Sequence, residues 1–376
     1  MSIPAGGAGI YTVPVRLDAM EGDTGMWTYA GRDTAIDLGS STVRMHVAGR
    51  GIVCREPSVL ARSRRTGRIL ALGTPALEMA GRDPDADLVR PVREGAPTDT
   101  DEVEYLMRRL VRRHLRRHYT ARPRLVVTVP SGVNSVYARA LEFSAYQAGA
   151  RRVTLVPVPV AAAAGMGLIT GGRAVAVVAD IGAELTDVGV IAFGGLVTAH
   201  TVAVGGTHLD RAIAALARQE FGVALSPAEA EAAKLAVGTA PCPGRRPVRA
   251  VTVHGRDVET GLPRPVELTT RDVQGAIAKP VEEIVEAIRA GLRGCAPEIA
   301  GDLLSAGISL TGGSSRLPGL DRLIGDRTGL TAVVRDPTGD AAVIGAAEVH
   351  RAVGDRPELP DPRRPLARLT TSVPQF

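Results

Sequence analysis

The chain has 376 residues, 45% hydrophobic and 3% aromatic, enough for two domains or one bilobal fold with a core of Val, Leu, Ile and Ala. That hydrophobicity excludes chain-wide disorder, and no run approaches the roughly eighteen apolar residues of a membrane span. The formal charge of +5 is carried almost wholly by arginine, lysine occurring only at 234 and 279; without interleaved aromatics it reads as a solvated surface, not a nucleic-acid footprint.

Residues 1–33 are rich in Gly, Asp and Thr, show no sustained period, and read as a flexible extension without a signal peptide. Thr34–Ile36 predicts a strand, then a Gly-containing turn, and Val43–Val47 a second strand. Val103, Leu106, Met107, Leu110, Val111 and Leu115 recur at three-and-four spacing and predict a helix over Glu102–His118. Arg124–Val129 is a β-branched run ended by Pro130-Ser131-Gly132, and Ser135–Gly149 reads as a helix stopped by glycine. Thr154–Val158 reads as strand and Val160–Met166 as the start of an Ala-rich helix. In a second cycle, strands are expected over Ala174–Ile181 and Thr186–Phe193, with Gly195–Ala203 as hairpin partner. Helices follow over Thr207–Phe221 and Arg271–Arg293, then a short strand, Gly307–Leu310, enters Thr311-Gly312-Gly313. From about 355, closely spaced prolines favour an extended tail. Alternating strands and helices indicate α/β layering. The scattered Cys54, Cys242 and Cys295, with no CxxC, point to neither a disulfide framework nor a zinc site and suit a reducing cytosol.

One unit occurs twice. Ala35-Ile36-Asp37-Leu38-Gly39 and Ala179-Asp180-Ile181-Gly182 are both apolar strands ending in Asp-x-Gly, each followed by a turn and another strand. A single copy is an ordinary turn; two copies with a Thr-Gly-Gly after a third strand suggest a duplicated fold with a cleft between its halves. Tight Gly/Ser/Thr hairpins present N–H and hydroxyl groups to phosphate oxygens. A strand-end carboxylate such as Asp37 or Asp180 suits a hydrated magnesium ion, which needs only one or two carboxylates.

The stretches AIDLGSSTVRMHVAGRGIVCREPSV, RPRLVVTVPSGV, VAVVADIGAELTDVGVIAFGGLV, AVGGTHLDRAI, HGRDVETGLPRPVEL and ISLTGGSSRLPGLDRLI resemble the MreB/Mbl family of bacterial actins over nearly all of 34–350. The RGIV-x-x-EPSV run and the GRD-x-x-TGLPR hairpin are the most distinctive. The resemblance implies an α/β, actin-like (duplicated RNase H-like) fold. Lobe I would span 34–170 with a subdomain inserted near 56–95, and lobe II 171–354 with one near 207–268. It also implies ATP and Mg2+ in the cleft, self-assembly into filaments, and a cytoplasmic, membrane-associated role with the cell-wall synthesis complex. Matched by motif, phosphate loop one is Asp37–Thr42 (Gly39, Ser40, Ser41, Thr42) and loop two Asp180–Thr186 (Gly182, Ala183, Glu184). Gly205 and Gly206 open the segment ending at Asp210. Glu231 and Lys234 match the E-x-x-K helix at the ribose and base, and Gly312, Gly313 and Ser314 the adenosine turn. Asp37 and Asp180 would face the metal through water. Without the match, Glu231 and Lys234 read as an exposed helix pair.

Three departures from the family pattern stand out. Where the family has Glu-Glu-Pro-Met-Ala-Ala-Ala, this chain has Pro157-Val158-Pro159-Val160-Ala161-Ala162-Ala163, so the water-orienting carboxylate is replaced by Val158. Loop two reads Asp180-Ile181-Gly182-Ala183-Glu184-Leu185-Thr186 in place of Asp-Ile-Gly-Gly-Gly-Thr-Thr, losing two glycines and gaining a carboxylate that repels phosphate unless it turns outward or meets an arginine. In loop one Ser40, Ser41 and Thr42 replace Thr-Ala-Asn and keep small polar donors. Poor ATP hydrolysis is therefore expected. The basic run Arg112–His118 reads either as a solvated helix end or as a contact with anionic lipid. The competing functions are a pseudo-actin scaffold without nucleotide that co-assembles with an active homologue and, remotely, a sugar-kinase-type enzyme or a chaperone-type ATPase, for which no peptide-binding domain follows Thr311.

Overall fold

The computed structural model describes residues 33–115, 122–169, 175–193, 195–242 and 247–353. Apart from Asp33, the expected extension over 1–33 and tail over 355–376 lie outside them, as does the end of the basic run, 116–118.

The first half opens with an antiparallel meander, β1 (Thr34–Leu38), β2 (Thr42–Val47) and β3 (Gly51–Pro57). A small sheet follows, made by β4 (Leu60–Ser63), β5 (Ile69–Leu72) and, after helix α1 (Thr74–Met79), β6 (Ala86–Val89). Two short strands, β7 (Val92–Arg93) and β8 (Ala96–Pro97), form a tight hairpin ahead of α2 (Thr100–His114). Then come β9 (Arg124–Val129), α3 (Ser135–Gln147), β10 (Arg152–Pro157) and α4 (Val158–Gly165). The second half repeats the plan with the meander β11 (Ala176–Ile181), β12 (Thr186–Ala192) and β13 (Gly195–Val202), then α5 (Gly206–Phe221). A second small sheet holds β14 (Val223–Leu225), β15 (Ala250–Asp257) and β16 (Pro263–Thr269), with α6 (Pro227–Val237) between its first two strands. The chain ends with α7 (Thr270–Arg293), α8 (Ala300–Ala306), β17 (Ile308–Thr311), α9 (Leu320–Thr328), β18 (Ala332–Val334) and α10 (Ala341–Val353).

The two large sheets have one topology, β3-β2-β1-β9-β10 and β13-β12-β11-β17-β18. In each, three antiparallel strands are extended by two parallel ones from the far end of the half. The duplicated Asp-x-Gly unit thus occupies the same place twice, at the end of the central strand.

Local chemistry explains the helices. In α2 the Asp99 carboxylate accepts from Asp101 N at 2.8 Å, and Val103, Leu106, Met107 and Leu110 turn inward, each at most 1% exposed. α7 opens on a reciprocal Thr269–Asp272 cap and buries Val273, Ile277, Val281, Ile284, Val285 and Ile288. Each such side chain contributes about 1.5–3 kcal/mol relative to exposure. Val158 is not the last residue of a strand; it is the first of α4. Pro157 and Pro159 flank it there, and proline at the first turn of a helix removes an N–H that has no partner anyway.

Both chain passages between the halves are helical. α4 leads out of the first large sheet, and α10 returns from the second to pack on α4, β1, β9 and β2. They cross at Gly165 and Gly345, where a Cβ would stand 2.0 Å from Ala341 O and 1.8 Å from Ala161 O. Among the described residues no helix is long and apolar enough to cross a membrane.

Candidate functional site

In open α/β sheets ligands bind beyond the carboxyl ends of parallel strands. Here β1 ends beside Asp37, β9 runs into Ser131, β10 into Val158, β11 ends beside Asp180 and β17 runs into Gly312. Asp37 accepts from Thr128 Oγ1 at 2.7 Å through Oδ1 and faces Arg44 Nη1 at 3.2 Å through Oδ2. Arg44, its side chain 15% exposed, also donates to Thr338 O at 3.0 Å and lies 3.2 Å from Asp340. Arg55 Nε donates to Asp340 at 2.9 Å. The Asp180 carboxylate makes no hydrogen bond among the described residues. Its carboxyl is pushed up to about 7, first by burial and then by the charges of Asp37, Asp187 and Asp336, with Arg44 opposing. Asp180 therefore fits a hydrated divalent cation, whereas the charge of Asp37 is already paired with Arg44.

The two predicted phosphate loops are held by their own backbones. In loop one Gly39 leaves room for Thr42 O, which a Cβ would approach to 2.7 Å. Ser40 O accepts from Arg90 and Ser41 O from Ser58 N, at 2.9 and 2.8 Å. In loop two Gly182 N donates to Leu185 O at 2.8 Å, while Gly182 O accepts from Gly206 N at 3.0 Å and from Ser314 Oγ at 2.8 Å. Ala183 O accepts from Thr207 N at 2.7 Å. The first N–H groups of α5 thus point into loop two. Gly205 N donates to His208 Nδ1 at 3.2 Å.

Gly312 takes φ +84°, and a Cβ there would lie 2.5 Å from Ile181 O; Gly313 borders open space. Lys234 Nζ pairs with Asp210 at 2.7 Å and reaches Gly206 O at 3.4 Å. Gly182, Gly205, Gly206, Lys234, Gly312 and Ser314 are therefore brought together, as their motifs suggest. Glu231, one turn before Lys234 on α6, stays exposed.

Glu184 neither rotates into solvent nor meets an arginine. It is 6% exposed and accepts a hydrogen bond from Glu94 N at 2.9 Å, across the gap between the halves. Beside it Asp187 accepts from Ser131 N at 2.8 Å and from Thr201 Oγ1 at 2.7 Å, and Gly132 N donates to Thr201 Oγ1 at 3.0 Å. Burial pushes the Asp187 carboxyl up to about 6 against these hydrogen bonds. Val158 is half-buried against the Ala-rich cluster of α4 and α10 and offers water no acceptor.

The sequence reading missed Arg44, Asp187 and Asp336. Asp336 caps α10 through Ala341 N at 2.8 Å and also holds Thr311, Thr338 and Gly339. Burial pushes its carboxyl up, and these hydrogen bonds outweigh it and hold the group below the usual range. Arg44 stands directly opposite Asp37 in the β1–β2 pair, so only an arginine across the hairpin from a strand-end aspartate could have marked it.

The family model described as MreB/Mbl protein matches residues 31–356. The chain belongs to the MreB/Mbl family. It is 37% identical to the cell shape-determining protein MreB of Escherichia coli over 310 residues, 81% of this chain and 89% of that protein. It is 31% identical to the cell shape-determining protein Mbl of Bacillus subtilis over 315 residues, covering 84% and 94%. The crystal structure of MreB5 of Spiroplasma citri bound to AMPPNP superimposes with a TM-score of 0.80 at 25% identity, covering 87% of this chain and 98% of that one. The fold is actin-like, as the resemblance implied.

Proposed function

We propose that this chain is an actin-like cytoskeletal protein of bacterial cell-shape maintenance that binds an adenine nucleotide between its halves and turns ATP over poorly. The carrying observation is the duplicated strand-end aspartate: Asp37 and Asp180 come close enough for their charges to act on one another, with Gly312 packed against Asp180. A relative of the same family has been solved with AMPPNP, and the relatives in E. coli and B. subtilis are cell shape-determining proteins. Polymerisation with itself or homologous actins, work alongside the cell-wall synthesis complex and contact with the inner face of the membrane follow from the family reading.

In this reading Ser40, Ser41 and Thr42 supply small donors to phosphate, while Lys234 and Ser314 border the ribose and base. Asp180 would hold a hydrated magnesium ion, and that ion would supply positive charge against the phosphates. Thr128 and Arg44 hold Asp37 in place. At the start of α4, Val158 leaves the attacking water unoriented, and lost positioning or base assistance typically costs 100-fold or more in rate.

Calorimetric titration of the full chain with Mg-AMPPNP, with phosphate release from Mg-ATP followed on the same preparation, tests this. Binding with release at least tenfold below that of an ordinary family member is the expected result. Brisk release would overturn the hydrolysis reading, and absence of binding would leave a pseudo-actin scaffold.

A further inference from the structure

The tip of loop two carries a buried carboxylate whose partner lies on the other half of the molecule. Glu184 Oε2 accepts from Glu94 N at 2.9 Å, on the turn between β7 and β8. That turn is tightly fixed: Glu94 adopts φ +48°, and a Cβ on Gly95 would stand 2.3 Å from Pro130 Cγ and 2.6 Å from Leu185 Cδ1. A few residues earlier Arg90 holds Ser40 O, so the same segment touches both phosphate loops. Among the described residues no lysine or arginine pairs with Glu184. Three donors beside it are already engaged: Glu94 N by Glu184 itself, and Gly206 N and Thr207 N by the carbonyls of loop two.

From this arrangement we infer that Glu184 makes the cleft selective for a nucleoside diphosphate over a triphosphate. The inference rests on the nucleotide reading above. A third phosphoryl group extends further along the loops and adds negative charge where a fixed carboxylate already stands. A diphosphate stops short of that point. Two like charges that share one loop at the effective dielectric of a protein surface repel enough for roughly a tenfold change in Kd.

Titrating the full chain with Mg-ADP and Mg-AMPPNP at equal free magnesium tests it, the non-hydrolysable analogue keeping turnover out of the comparison. Wild type is expected to bind ADP about tenfold more tightly. Glu184→Gln keeps an oxygen for Glu94 N and removes the charge; it should tighten AMPPNP, leave ADP unchanged and bring the ratio within about threefold. Equal or tighter AMPPNP binding by wild type overturns the inference while sparing the nucleotide reading, and needs no variant. An unchanged ratio in a folded Glu184→Gln also overturns it. Loss of both ligands in wild type overturns both readings together.

Discussion

Arg44 is the residue on which the floor of the cleft turns. One guanidinium serves Asp37, Asp340 and Thr338 O, so loop one is tied to the start of α10. Arg44→Leu would leave two poorly exposed carboxylates without their common partner, and removing one member of such a network costs about 3–5 kcal/mol. Arg44→Lys should rescue little, because a point charge cannot serve three acceptors spread around a fork; thermal denaturation of both variants checks this. Asp180 acts in the opposite sense. Its folded-state value near 7 lies above the ordinary carboxylate value, so the folded state binds the extra proton. Its contribution is fully present below about pH 4 and is lost as pH rises toward 7. In the absence of nucleotide and metal, Asp180→Asn should therefore be more stable than wild type at pH 8, by roughly 2 kcal/mol for a group only partly withdrawn from solvent. The difference should vanish near pH 4. Melting curves at the two pH values decide it. Asp37 and Asp180 were legible in the sequence because the Asp-x-Gly unit is local and occurs twice. The pairing of Arg44 was not, since Asp340 and Thr338 lie almost three hundred residues away.

At the scale of elements, the strands followed from β-branched runs and the long helices from their apolar spacing, because α2 and α7 each bury one stripe. The strand expected through Val158 stops at Pro157: Val-Pro-Val extends a β-branched run by composition, yet prolines in a first helical turn cost nothing. The crossing of α4 and α10 is hidden for a different reason. Gly165 and Gly345 look like ordinary glycines in alanine-rich helices, and only tertiary contact shows that each admits the partner's backbone. Gly345→Val would drive its side chain into Ala161 O, and overpacking at a site with no room typically costs about 1–3 kcal/mol or more. Since this crossing lies at both passages between the halves, the variant should also lose cooperativity between them. Calorimetry is expected to split one unfolding transition into two.

At the scale of the molecule, the cleft is closed by contacts that need no ligand. Glu184 reaches Glu94 N, Asp187 reaches Ser131 N, and Thr201 accepts from Gly132 N; all three join the second half to backbone of the first. The first two matter most, because Glu184 and Asp187 are buried acceptors that each lose a donor on opening. Asp187 is the centre of the set, accepting from both Ser131 and Thr201. Asp187→Ala removes the acceptor from three donors at once, and leaving them unsatisfied costs about 1–3 kcal/mol each where water cannot enter. The expected result is a larger radius of gyration in solution scattering without nucleotide, with faster amide exchange at Ser131, Gly132 and Glu94 and little change in α2 or α7, whose cores lie within single halves. If exchange accelerates at Ser131 alone, the three contacts act separately and the halves are held by the α4–α10 crossing.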